Sequence, residues 1–200
     1  PNHANEDIFR KMKKAGCKYV AFGIESGDQK ILDIMNRNLT LLQTKNAVKL
    51  AKKVGLRTMG YFMTGMIGET KESVLKTINF AKILNLDVTS FSITVPYPGT
   101  KLFDIAEKEG LIKNSNWEEW DRSRVTVNLA TEINRKDLQR LTAQGNWDLF
   151  WSSPSRNTPK YFSNMMSNLS PIVGRVLGDK YSNVISRFDE IRRKMKIALP

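Results

Sequence analysis

Three short runs rich in β-forming residues, at 18–22, 57–63 and 88–95, alternate with amphipathic helical patterns over the first 110 residues. Each junction has its own stop signal. Asn5 is placed to cap a helix with Ile8, Phe9 and Met12 on its apolar face, and Gly16 stops it. The run 18–22 ends at Gly23, and a second helix spans 28–35. Thr40 and Gln43 form a capping box for a third helix. Its face is Ala47, Val48, Ala51 and Val54, and Gly55 ends it. After the run 57–63 and a loop over 64–69, Thr70 caps a helix with Val74, Leu75, Ile78, Ala81 and Leu84 on one side. The third run leads into a rigid turn, Pro96-Tyr97-Pro98-Gly99, and a short helix at 102–109 closed by Gly110. Alternation in this order means parallel βα units, an α/β chain. The runs lose the polar alternation of a half-exposed strand, which predicts burial on both faces. Three parallel strands with a bare edge make a poor free-standing fold. The pattern is therefore expected to be the later part of a larger sheet. The absence of an initial Met fits an excerpt, and a small complete α/β sheet is the alternative.

Beyond Gly110 the pattern changes. Trp117, Trp120, Trp147 and Trp151 share a stretch with Arg122, Arg124 and a β-prone run at 125–129. Asn134 caps a helix reaching Phe150. Residues 152–159 read as a linker. An apolar stretch at 161–177 is broken by Pro171 and Gly174. An amphipathic helix follows at 182–199, with Val184, Ile185, Phe188, Ile191 and Met195 on one face. The expected organisation is thus a βα core over 1–112, a covering extension over 113–151, and a linker with a basic helical tail over 152–200.

Composition bounds the chemistry. With 40% hydrophobic and 26% charged residues, the 200-residue chain can bury a core. No apolar run is long enough to span a membrane as a helix. One cysteine and one histidine exclude a disulfide framework, a multi-thiolate cluster and a multi-histidine metal site built from this chain. The net charge of +12 is unevenly spread: there are 23 basic and 17 acidic residues through Trp151, then nine and three in the remaining tail. Such a tail suits an anionic membrane surface, nucleic acid or an acidic partner; a plain solvated surface is equally consistent.

In parallel α/β folds ligands sit beyond the carboxyl ends of strands. The first such loop is Gly23-Ile24-Glu25-Ser26-Gly27. Its glycines allow close backbone approach, and Glu25 and Ser26 can bond hydroxyls or an ammonium group. The second, Gly65 to Thr70 with Gly68 and Glu69, enters a helix N-terminus whose N–H groups suit an anionic or nucleotide ligand. The third, Pro96 to Thr100, is a stiff wall carrying Tyr97 and Pro98. Singly, each loop also has a plain structural reading: turn geometry for the glycines, a helix-dipole partner for Glu69, a packed ring for Tyr97.

Taken in order, Phe22-Gly-Ile-Glu-Ser-Gly27, Ile31-Leu-x-x-Met35-Asn36-Arg37, Gly65-x-x-Gly-Glu-Thr70 and Pro96-Tyr-Pro-Gly-Thr-Lys-Leu102 resemble the second half of a radical S-adenosylmethionine core. The group resembled most has an N-terminal cobalamin-binding domain, as in enzymes of bacteriochlorophyll and hopanoid synthesis. The resemblance covers about residues 5 to 112. It implies the second half of a partial (β/α)6 TIM-like barrel, here followed by a mainly helical C-terminal extension. In that family a [4Fe-4S] cluster on a CxxxCxxC loop cleaves S-adenosylmethionine reductively, and the resulting radical abstracts a substrate hydrogen. The resemblance places Gly23, Glu25, Ser26 and Gly27 against the ribose and methionine part of S-adenosylmethionine. It places Gly65, Gly68 and Glu69 near the adenine end, and Tyr97 and Pro98 on the substrate side. Tyr61 and Met63 either line the pocket or pack. No residue of this chain receives a catalytic or metal-ligating role.

The departures matter. The chain has no CxxxCxxC, and Cys17 reads as a small hydrophobe. Ile67 stands where the family usually has Pro, and Asn38 where it usually has Gly. The cluster, and cobalamin if used, are therefore expected on residues outside this segment, and the segment alone is expected to be inactive. The parent reaction would be methylation, cyclisation or rearrangement of a small-molecule substrate in the cytoplasm, a hydrophobic one being a further expectation; the basic tail helix either docks on the rest of the enzyme, the more favoured reading, or makes peripheral membrane contact. The competing reading is a non-catalytic basic module for nucleic acid or a membrane surface. No RNP, KH or zinc-finger pattern supports the nucleic-acid form.

Overall fold

A computed structural model describes residues 3–113, 116, 120 and 126–152. All of the described elements lie in the first of two compact units, Pro1–Ser153 and Pro154–Pro200. They are α1 (Glu6–Lys14), β1 (Tyr19–Glu25), α2 (Gln29–Ile34), α3 (Leu41–Lys53), β2 (Arg57–Thr64), α4 (Lys71–Leu84), β3 (Val88–Ile93), α5 (Lys101–Lys108) and α6 (Arg135–Ser152). Of the linker expected at 152–159 only Ser152 is described, as the last residue of α6; residues 153–159, the stretch at 161–177 and the helix expected at 182–199 lie outside the described residues.

Local signals set the helix starts. The Asn5 side chain accepts the Ile8 N–H at 2.8 Å. Thr40 and Gln43 form a reciprocal capping box, as do Thr70 and Ser73. Asn134 Oδ1 accepts the Asp137 N–H at 2.9 Å ahead of α6. Lysines close two helix ends. Lys13 Nζ donates to the Gly55 carbonyl at 2.7 Å, and Lys52 Nζ donates to the carbonyls of Leu84 and Asn85. Cations at helix C-termini satisfy orphan carbonyls and favour the dipole.

The three strands are parallel and lie in sequential order, β1-β2-β3. Their burial alternates, so only one face is closed. Phe22, Ile24, Thr58, Phe62, Phe91 and Ile93 face the helices, and Phe62 stacks on Phe91 at 4.9 Å between ring centroids. The opposite face carries Ala21, Gly23, Met59, Tyr61, Met63, Ser90 and Ser92, all half-buried or exposed. The expected burial on both faces is therefore not met. Two residues assigned to apolar helix faces, Ile8 and Leu75, are also exposed. In α1 only Phe9 enters the core; it packs edge-on against Phe22. Within the β-prone run at 125–129, the described residues 126–129 form no strand. Val127 and Leu129 instead pack with Val95, Ala106 and Trp120 in a second apolar cluster.

Helix α6 seals the outer edge of β3. The Asn146 side chain accepts the Phe91 N–H at 2.8 Å and donates to the Phe91 carbonyl at 3.1 Å, all in buried surroundings. One side-chain amide thus substitutes for a neighbouring strand at that residue. Gly145 also lets α6 close on α4: a Cβ there would lie 3.0 Å from Ile78 Cγ1. Thr142 and Thr64 exchange a hydroxyl hydrogen bond at 2.8 Å beside it. Asn146→Ala should cost about 2 kcal/mol in urea unfolding, because two buried backbone groups lose their partner. An unchanged midpoint would mean that water already serves them.

Candidate functional site

Because the strands are parallel and adjacent, the loops after β1, β2 and β3 emerge at one edge of the sheet. The first loop begins at a bulge. Gly23 pairs with Tyr61 and Glu25 with Phe62, leaving Ile24 as the extra residue. Glu25 then takes φ +66°, and the Ser26 N–H donates to the Ile24 carbonyl at 2.8 Å. A three-residue turn centred on a non-glycine with positive φ is rare and strained. Its effect is to fold the Glu25 side chain back over the open face. A Cβ on Gly23 would lie 2.7 Å from Glu25 Oε1 and 3.3 Å from Arg37 Nη2. A side chain at this position would push aside the carboxylate and guanidinium that lie above it.

Arg37 reaches this place through the end of α2. The Arg37 N–H bonds the Leu32 carbonyl and the Asn36 N–H bonds the Asp33 carbonyl, both at 2.9 Å, around Asn36 at φ +52°. This Schellman-type reversal returns the chain toward β1. Arg37 Nη2 then donates to Glu25 Oε1 at 3.1 Å. The Glu25 side chain is 17% exposed. Burial pushes its carboxyl above the ordinary range, and Arg37 pulls the other way. Arg37 belongs to the motif Met35-Asn36-Arg37, but sequence reasoning assigned it no role; the left-handed Asn36 was the signal that its side chain turns back. Tyr61 stands beside Gly23 on the central strand, with Ser90 on its other side. Tyr61 is 45% exposed, flanked by two of the smallest residues.

The other residues of the first loop turn inward. Ser26 is fully buried, and its hydroxyl bonds Thr77 Oγ1 at 3.1 Å and the Asp28 N–H at 3.1 Å. The Gly27 N–H donates to Thr77 Oγ1 at 3.0 Å. A Cβ on Gly27 would meet Phe80 Cβ at 2.5 Å and Thr77 Cα at 2.7 Å. Ser26 and Gly27 thus dock the loop onto α4, rather than presenting it to the open face.

The second loop is closed on itself. Glu69 is fully buried, and its Oε2 accepts the N–H groups of Gly65 at 2.5 Å and Met66 at 3.0 Å. Thr70 and Ser73 satisfy each other at the start of α4. Those four donors are occupied and a carboxylate already lies among them, so the loop offers little to a phosphate. Gly65 and Gly68 have φ of +83° and +77°, with Leu138 and Ile34 against the positions their Cβ atoms would take. After β3, Pro96 is buried while Tyr97 and Pro98 are exposed. Ile67 packs against the cluster containing Val95 and Trp120, so the second and third loops adjoin.

The structure thus gathers Gly23, Glu25, Arg37 and Tyr61 on the open face, sets Tyr97 and Pro98 outside the third loop, and turns Ser26, Gly27, Gly65 and Glu69 inward. Among the described residues, no group of three His, Cys, Asp or Glu side chains could hold a metal ion. The Cys17 thiol is half-buried and bonds the Tyr19 carbonyl at 3.0 Å. None of the helices described is long and apolar enough to cross a membrane.

The described residues thus form a sequential parallel α/β sheet with a carboxylate and a guanidinium paired beside its strand ends. Over residues 1–81 the chain matches the family model of the Radical SAM superfamily. The chain is 43% identical over 119 residues to an uncharacterized methyltransferase of Pyrococcus horikoshii, covering 60% of this chain and 26% of that protein. It is 32% identical over 99 residues to the anaerobic magnesium-protoporphyrin IX monomethyl ester cyclase of Rubrivivax gelatinosus, covering 50% of this chain and 18% of that one. The chain therefore spans about a quarter or less of the length of these curated relatives. Its fold is similar to that of coproporphyrinogen III oxidase from Escherichia coli, a radical SAM enzyme. The TM-score is 0.56 at 17% identity, over 74% of this chain and 31% of the other.

Proposed function

We propose that residues 1–112 supply one wall of an S-adenosylmethionine site in a radical SAM enzyme that methylates, cyclises or rearranges a small organic substrate. The observation that carries this is the Glu25–Arg37 pair, held over side-chain-free Gly23 on the open face of the sheet. Its carboxylate accepts hydrogen bonds from an ammonium group or ribose hydroxyls, and its guanidinium donates to a carboxylate. That is the complement of the amino-acid and sugar portions of S-adenosylmethionine. Tyr61 and Met63 give the neighbouring surface an apolar, polarisable character that suits a nucleoside or an apolar substrate. Tyr97 and Pro98 are assigned to the substrate side.

The chain's single cysteine cannot form a three-thiolate loop. These residues do not fit an iron–sulfur cluster, and the ligands of the [4Fe-4S] cluster are assigned to residues outside the 200. A cobalamin site, where the enzyme uses one, is likewise assigned outside them. Cytoplasmic location and a membrane contact through the basic tail remain part of this proposal, resting on the tail's sequence alone.

Equilibrium dialysis of the 200-residue chain against radiolabelled S-adenosylmethionine tests the site. Glu25→Gln and Arg37→Met should each weaken binding about tenfold, the effect of losing one charge-assisted hydrogen bond. Equal binding by all three proteins would remove the pair from the site. The unmodified chain should also yield no 5'-deoxyadenosine under reducing conditions.

A further inference from the structure

The carboxylate of Glu69 stands in a motif expected to contact a ligand, yet it is fully buried. One oxygen, Oε2, accepts two successive backbone N–H groups, those of Gly65 and Met66. The other, Oε1, has no hydrogen-bond partner among the described residues. The Glu69 N–H in turn donates to the Met66 carbonyl at 3.0 Å. The residue therefore ties both ends of the loop that carries two left-handed glycines, Gly65 and Gly68. We propose that Glu69 is a positioning residue whose charge state sets the shape of the Gly65–Gly68 loop through these two backbone bonds, without touching a ligand itself.

The physical basis is the difference between a charged and a neutral acceptor. Hydrogen bonds to a carboxylate are roughly twice as strong as those to a neutral oxygen. Protonation at the bare Oε1 weakens both N–H bonds at once, and the glycines let the loop change shape at low cost. The surroundings do little to hold the charge. Asp28, at the N-cap of α2, is the charged group that acts on Glu69, and it repels. Asp28 is itself paired with Lys76 of α4 at 3.4 Å, and Lys76 is shared with Glu72 at 3.0 Å. Leu138 of α6 and Ile34 of α2 close on Gly65 and Gly68 with apolar groups. The start of α4 favours the charge. Burial outweighs the two N–H bonds and pushes the carboxyl up to about 7. The loop's shape is independent of the S-adenosylmethionine reading; only its consequence for a ligand rests on that reading.

Proton–nitrogen NMR of the 200-residue chain between pH 5.5 and 8.5 tests this. The amides of Gly65 and Met66 should move together, downfield as pH rises, with one midpoint near 7. In Glu69→Gln both should be flat while the rest of the spectrum is retained. Flat amides in the unmodified chain, or the same titration in Glu69→Gln, would overturn the proposal. Should that variant not fold, the carboxyl carbon shift of Glu69 in the unmodified chain decides: a midpoint below 5 overturns it, and one near 7 supports it. Failure of S-adenosylmethionine to bind would end the site reading and leave these titrations unaltered, so the two ideas fail separately.

Discussion

Gly27→Ala is expected to lower stability by on the order of 3 kcal/mol or more. The added methyl would lie 2.5 Å from Phe80 Cβ, 2.7 Å from Thr77 Cα and 3.0 Å from the Lys76 carbonyl oxygen. Two of these atoms are α4 backbone, so no side-chain rotamer change relieves the clash. Helix α4 must move away from the β1 loop, which also breaks the Ser26 and Gly27 bonds to Thr77. For a domain of this size the melting temperature should fall by roughly 10 °C. Gly99→Ala is the control. Gly99 has φ +82° but nothing within 4 Å of a Cβ, so the substitution should cost only about 1 kcal/mol of backbone strain. Equal losses in the two variants would show that α4 does not press on the loop as described.

The second large effect is a fall in stability with rising pH. Glu69 titrates near 7 in the folded chain against an ordinary value of 4.5. Between those two values the folded state binds more protons than the unfolded state. Stability is therefore highest below pH 4.5 as far as this group is concerned, declines through the interval, and levels off above 7. The decline is on the order of 3 kcal/mol. Glu25, also shifted upward by burial, contributes in the same direction. Urea unfolding at pH 5 and pH 8 measures the sum, and Glu69→Gln isolates the larger part. The variant should be nearly flat over this range and more stable than the unmodified chain at pH 8. An unmodified chain that gains stability from pH 5 to pH 8 would contradict a buried, weakly compensated carboxyl.

The order of strands and helices was legible because its signals are local. Asn5, Thr40, Thr70 and Asn134 each cap a helix within three residues of their own position. Gly16, Gly55 and Gly110 stop helices by taking left-handed angles. What was not legible depends on partners far along the chain. Gly27 is a glycine because α4, fifty residues later, passes over it. Ser26 and Glu69 have the right chemistry for ligand contact, and only packing decides that they face inward. Residue types alone left Tyr61 undecided; its register against Gly23 and Ser90 places it on the open face. Arg37 escaped notice because its role requires both the Asn36 reversal and the bulge that lifts Glu25. The half-open sheet was misjudged because Met59, Tyr61 and Met63 are apolar enough to suggest burial on both sides.

Asn146 gives the sheet a handedness of growth. With the rim of β3 capped by a side-chain amide at Phe91, the hydrogen-bond ladder lengthens more readily on the flank of β1, whose outer groups pair with no other strand among the described residues. A strand arriving from elsewhere in the same polypeptide would find its readier berth there. Unwanted pairing between two molecules would also pass through that berth, most simply as an antiparallel two-fold contact of β1 with itself. One charged substitution on the rim of β1 should therefore guard against self-association more effectively than one placed along β3.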